Sequence, residues 1–122
     1  MTKKTVLVVD DEKQILDLIQ EMLTFHGYAV LVARHGLEAI YQTNRHHIDL
    51  ILMDIRMPFF SGFWFCDALR RKKNTCNIPV VMVSGLLDEE NTKKAFKVGA
   101  VDIVKKPFTE EELLQAVEKN AL

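Results

Sequence analysis

Three acids, Asp10, Asp11 and Glu12, stand side by side directly after a short apolar run near the start of the chain. A fourth, Asp54, ends a second such run, Ser84 ends a third, and a later run leads into Lys105, Lys106, Pro107 and Phe108. Carboxylates gathered in one cleft repel one another and hold protons more tightly unless a cation sits among them. Oxygen donors of this kind suit a hard divalent ion, Mg2+ first. A hydroxyl and an ammonium facing the same carboxylates would add a hydrogen-bond donor and a fixed positive charge. All of this depends on a fold that brings the four places together.

The pattern of the chain supplies one. Apolar, often β-branched runs at 5–9, 29–32, 49–53, 79–84 and 101–104 suit strands buried on both faces of a parallel sheet. Helical patterns lie between them. The clearest places Ile15, Leu18, Ile19, Met22 and Leu23 on one stripe, with Gly27 where a C-terminal cap is expected. Leu37, Ile40 and Tyr41 open a second helix after Gly36. Gly62, Phe65, Cys66 and Leu69 form a third stripe. Ala95, Phe96 and Gly99 end a weaker fourth, and Leu113, Leu114 and Val117 carry a fifth behind the capping box Thr109 to Glu112.

Strands alternating with helices in this way predict an α/β fold with helices on both faces of the sheet. Ligands of such folds bind beyond the carboxyl ends of the strands, where the strand order reverses. Two strand orders are common for this pattern; in one of them, 2-1-3-4-5, the first and third strands are neighbours, about 5 Å apart, so Asp10, Asp11 and Asp54 would share one cleft with Ser84 and Lys106 opposite. Each residue has a plainer role open to it. Asp11 also suits a helix N-cap, with Gln14 at the third position, Asp54 and Ser84 suit turns, and Lys106 suits a solvated surface. The histidines 26, 35, 46 and 47 read as surface or cap residues.

Composition narrows the function classes. The chain has 122 residues, the size of one domain spanning 1–122, and 48% of them are apolar, enough for a full core. A net charge of -1 gives no electrostatic case for direct nucleic-acid binding. The apolar run at 6–9 is too short for a signal-peptide core or a membrane span. Cys66 and Cys76 have neither redox nor metal-ligand spacing, as expected of reduced thiols in a cytoplasmic protein.

The set Val8-Val9-Asp10-Asp11-Glu12, Met53-Asp54-Ile55-Arg56-Met57-Pro58, Gly62, Ser84 and Lys106-Pro107-Phe108 resembles the receiver domains of two-component response regulators, over the whole chain. The resemblance implies a flavodoxin-like (βα)5 three-layer sandwich, with a five-stranded parallel sheet in the order 2-1-3-4-5. It implies that Asp54 accepts a phosphoryl group from a sensor histidine kinase or phosphotransfer protein. Mg2+ would be held by Asp11, Asp54 and the backbone carbonyl of Arg56, with Asp10 acting through a bound water. Lys106 would pair with Asp54 and then with the phosphoryl oxygens, and Ser84 would turn its hydroxyl toward them. The Lys106–Pro107 peptide would be cis, and the output surface would be helix 4, strand 5 and helix 5, read by an effector whose identity the sequence leaves open. An Mg2+-dependent phosphatase would carry its first acids one residue apart, and a flavin site would need a small-residue phosphate cradle where this chain has three acids.

Two stretches depart from the family's pattern. Ile103 stands where an aromatic residue or histidine commonly swings inward on activation. Pro58-Phe59-Phe60-Ser61-Gly62 replaces the common Pro-x-Met-Asp-Gly, and five of the ten aromatics fall within 59–65. Trp64 falls on an outer helix face with Asp67 and Arg71. Related transcription regulators dimerise through ion pairs on the helix 4–strand 5–helix 5 face. Here the matching positions include Asp102, Glu111 and Ala116, so like charges replace the attraction and the isolated domain is expected to stay monomeric.

Overall fold

The computed structural model describes residues 3–57 and 61–121, so the sequence expectations at Pro58, Phe59 and Phe60 lie outside the described residues. Five strands and five helices alternate: β1 Thr5–Val9, α1 Lys13–Phe25, β2 Ala29–Ala33, α2 Gly36–Arg45, β3 Leu50–Met53, α3 Gly62–Arg70, β4 Val80–Ser84, α4 Glu89–Lys97, β5 Asp102–Lys105 and α5 Glu110–Asn120. The strands form one parallel sheet in the order β2-β1-β3-β4-β5.

Alternation along the strands divides the core in two. Leu7, Val9, Ile51, Met53 and Met82 point to one face, where α3 adds Phe65, Cys66 and Leu69, and α2 and α4 add Ala39 and Ala95. Val6, Val8, Leu50, Leu52, Val81 and Val83 point to the other, against Leu16, Ile19 and Leu23 of α1 and Leu113 and Val117 of α5. Burying a side chain such as Phe65 or Leu23 is worth about 1.5–3 kcal/mol, so both helical layers are held mainly by these stripes.

Four helix residues predicted to face inward do not. Leu18, Leu37, Tyr41 and Phe96 are exposed. On α1 the buried stripe is Leu16, Ile19 and Leu23, with Ile15 and Met22 at its edge. On α2 the inward residues are Ala39 and Thr43, with Ile40 packed beside them. On α2 and α4 the small residues Ala39 and Ala95 let the helix lie close to the sheet while Leu37, Tyr41 and Phe96 stay outside; on α1 Leu16 takes the inward place expected of Leu18. The strand ends also shift slightly. Asp49 lies just before β3 and accepts a hydrogen bond from the Thr5 N–H through its carboxylate (2.8 Å).

Local chemistry sets the helix starts. Ser61, Asp88 and Thr109 each cap a helix by accepting a backbone N–H from the third residue along, and His35 does so through its ring nitrogen. The Thr109–Glu112 capping box is present in both directions. Gly27 ends the α1 segment with φ at 91°, a left-handed conformation that other residues adopt at a cost. Arg70, at the end of α3, donates to three backbone carbonyls: Cys76 (3.1 Å), Ile78 (2.8 Å) and Gly99 (3.1 Å). It ties the loop before β4 to the loop before β5.

Candidate functional site at the carboxyl edge of the sheet

The sheet register builds the site. β1 pairs with both β2 and β3, and Val9 lies opposite Met53, so Asp10 and Asp54 leave the sheet side by side. The ladder carries on through the Asp10 N–H to the Ala33 carbonyl and the Asp54 N–H to the Val9 carbonyl (both 3.1 Å). On the other side Ser84 pairs with Lys105, and the Lys106 N–H donates to the Ser84 carbonyl (3.0 Å). The predicted residues therefore meet around one cleft of about 380 Å³, lined by Asp11, Glu12, Asp54, Arg56, Ser84 and Lys106 among others.

Lys106 is the hub. Its ammonium donates to Asp10 Oδ2 at 2.6 Å and Asp54 Oδ2 at 3.0 Å, with Glu12 Oε1 at 3.9 Å. The sequence pairs Lys106 with Asp54; the shorter contact to Asp10 was not foreseen. Burial pulls the Lys106 pKa down, but the hydrogen bonds and charges of Asp10 and Asp54 outweigh it and leave the ammonium more firmly protonated than usual. Burial pushes the Asp10 carboxyl up and the Asp54 charge adds to this, against the bonds from Lys106 and the Glu12 N–H. Lys106 thus does not fully compensate Asp10.

Asp54 is buried, and its second oxygen accepts the Arg56 N–H at 3.2 Å. Asp11 is not a helix cap. The cap position of α1 is Glu12, which makes no side-chain capping bond, and Asp11 stands exposed at the cleft. Asp10, Asp11 and Glu12 each bring a carboxylate oxygen within 4.8 Å of the others. Asp54 stands outside that trio and faces it across the Lys106 ammonium, which bonds both Asp10 and Asp54. Four acids against one ammonium leave a surplus of negative charge on hard oxygen donors, which fits a divalent cation such as Mg2+. Glu12 is an addition to the predicted donors. Its place next to Asp11 was the available signal.

Ser84 is buried, and its Oγ accepts the Leu86 N–H at 3.1 Å. The Leu86 carbonyl in turn accepts from the Asn91 side chain of α4 at 2.8 Å. Ile103 is partly buried against the core on the α2–α3–α4 side. Lys106–Pro107 is cis. Gly62 donates its N–H to the Ile55 carbonyl at 2.6 Å, and a Cβ there would run into the Asp54 carbonyl oxygen and stand 2.9 Å from Ile55 Cα.

Comparison with known proteins agrees with this geometry. The family described as "Response regulator receiver domain" matches residues 6–118. A probable transcriptional regulator, ycf27, of Cyanidium caldarium is 38% identical over 108 residues, 88% of this chain and 42% of that protein. The chain therefore spans less than half the length of this relative. The chemotaxis protein CheY4 of Vibrio cholerae superposes with a TM-score of 0.93 at 30% identity, covering 98% of this chain and 99% of that one. The receiver domain of sensor histidine kinase PA1611 from Pseudomonas aeruginosa PAO1, solved with a magnesium ion coordinated in its active-site cleft, gives a TM-score of 0.89 at 25% identity and covers 98% of both chains. With the predicted strand order, the shared cleft and a family match over nearly its whole length, the chain belongs to the response regulator receiver domains of two-component signalling.

Proposed function

We propose that this chain is a phosphoacceptor switch in a two-component phosphorelay, loaded at Asp54 by a sensor histidine kinase or a phosphotransfer protein. The observation that carries the reading is Asp54 itself, one residue beyond β3, with one oxygen 3.0 Å from Lys106 and the other 3.2 Å from the Arg56 N–H. In the transfer, an Asp54 carboxylate oxygen forms the new O–P bond as the donor's N–P bond breaks, and the imidazole leaves with the electron pair and takes up a proton. Lys106 offsets charge on the phosphoryl oxygens, and positioning with electrostatic support is most of what this chemistry requires. Asp11, Asp54 and the Arg56 carbonyl would hold Mg2+, with Asp10 acting through water; the ion would neutralise the same oxygens. The magnesium in the cleft of the Pseudomonas relative supports that assignment.

The chain catalyses only its own phosphorylation and dephosphorylation, as a signalling module. Phosphorylation adds acceptor oxygens beside Ser84, and its hydroxyl hydrogen can turn to them. The resulting bias falls on the loops after β4 and β5 and so on the α4–β5–α5 face that an effector would read. Among the described residues no helix is long and apolar enough to cross a membrane, in keeping with a cytoplasmic signalling domain.

Acetyl phosphate and Mg2+ provide the test. Intact mass should record one base-labile phosphoryl group on the unmodified chain and none on Asp54→Asn. Phosphorylation persisting in that variant would move the acceptor to Asp10, Asp11 or Ser84. Mg2+ should raise the melting temperature by mass action, and Asp11→Asn should weaken that effect. Lys106→Ala should still bind the ion yet accept phosphate poorly, having lost the positive partner of the phosphoryl oxygens.

A further inference from the structure

We propose that the groove between α2 and α3 is a docking site for an amphipathic helix of another protein, apolar along one edge and acidic beside it. The groove holds about 300 Å³, with Ile40, Phe65 and Leu69 at its floor and Trp64, half exposed, at its rim. Two threonines lie in it, and both hydroxyls are already committed. Thr43 donates to the Ile40 carbonyl at 2.9 Å and Thr75 to the Leu69 carbonyl at 2.8 Å. Neither hydroxyl is therefore left without a partner in the groove wall. A groove built in this way accepts apolar side chains at helical spacing, the mode in which a partner helix lays one face between two helices.

Charge selects the partner. Arg70, Arg71, Lys72 and Lys73 follow one another at the end of α3. Arg70 turns inward to its three carbonyls and Arg71 pairs with Asp67 at 3.0 Å. Lys72, which lines the groove, and Lys73 beside it make no ion pair among the described residues. A helix flanked by Asp or Glu would meet these ammonium groups, and a basic one would be repelled. A second copy is the competing occupant, because α1 carries the exposed Phe25 beside Glu110. That face packs on the opposite side of the sheet, so such contacts would run head to tail rather than as a symmetric pair.

The groove is separate from Asp54, so its test stands apart from phosphorylation. A library of helix-biased peptides about fourteen residues long, roughly four turns, with leucines fixed at i, i+4 and i+7 and the flanks randomised, would be selected against the whole chain. Trp64 is the chain's single tryptophan, so its emission reads occupancy directly. Enriched peptides should carry acidic flanks, shift that emission, and bind about tenfold more weakly to both Ala68→Gln and the double variant Lys72→Glu, Lys73→Glu. Both variants should keep the far-ultraviolet circular dichroism of the parent and its phosphorylation by acetyl phosphate. Basic or neutral flanks, affinities unchanged in the charge-reversed variant, or no enrichment over Ala68→Gln would overturn the proposal. So would self-association on concentration that occupies the groove and is lost in Phe25→Ser.

Discussion

Lys106 serves two carboxylates at once, and the charge count around it has a consequence for stability. Asp10 is ionised at a cost because burial disfavours its charge and Asp54 repels it. Asn at position 10 would still offer Lys106 an oxygen while removing one negative charge. Asp10→Asn should therefore stabilise the metal-free chain, by on the order of 1 kcal/mol, and denaturation in the presence of a chelator would measure it. A loss of stability would mean that Lys106 compensates Asp10 completely. Cys66 is open to a different test. Burial raises its thiol pKa, and its Sγ lies 3.4 Å from the Val98 carbonyl. A raised pKa leaves less thiolate at any given pH, so iodoacetamide at pH 8 should modify Cys76 and leave Cys66 intact until the chain unfolds. Asp54, Ser84 and Lys106 could be found from sequence because each stands at or just past the end of a strand run, and the parallel sheet delivers all such positions to one edge. The sharing of Lys106 with Asp10 could not, since it depends on how far an ammonium reaches across the end of β3.

The helices differ in how far the sequence reveals them. Their number and order follow from apolar periodicity and caps, and the capping box at Thr109 is visible in four letters. Their rotation is not, because Leu18 and Leu37 count as apolar whether they face the sheet or water. Ala39, with little side chain, carries no periodic signal although it is fully buried. The same limit hid Arg70, which reads as one base in a run of four but joins two loops, reaching from α3 to Gly99, 29 residues further along the chain. Arg70→Met would keep the aliphatic stem and leave three carbonyls without their donor. We expect a loss of about 2–4 kcal/mol, seen as a lower urea midpoint; a change within error would mean that water replaces the guanidinium. Thr109→Ala should cost less, about 1 kcal/mol, and lower the melting temperature by a few degrees.

For the molecule as a whole, the proposed function turns on whether the α4–β5–α5 face can pair with a second copy. Asp102 is already engaged within its own chain, accepting from Asn120 at 2.9 Å with Lys119 at 4.0 Å. Glu111 on the same face is exposed and brings like charge toward a symmetric partner. The isolated chain should stay monomeric with and without beryllofluoride in sedimentation velocity. A dimer that appears only on activation and dissolves when Asp102 or Lys94 is replaced would refute this.

The Leu86 peptide group is held on both sides, its N–H by Ser84 Oγ and its carbonyl by the Asn91 side chain on α4. The Ser84 oxygen already accepts one hydrogen bond, so its own hydrogen can swing toward a phosphoryl group without that bond being given up. A phosphoryl group at Asp54, as proposed, would polarise the Ser84 oxygen and so perturb the Leu86 amide, which the Asn91 side chain links to α4. The Leu86 amide proton becomes a local gauge of the switch, and its chemical shift should follow the occupancy of Asp54. Removing the far anchor with Asn91→Ala should leave that gauge responsive at Leu86 while the amides of α4 fall silent.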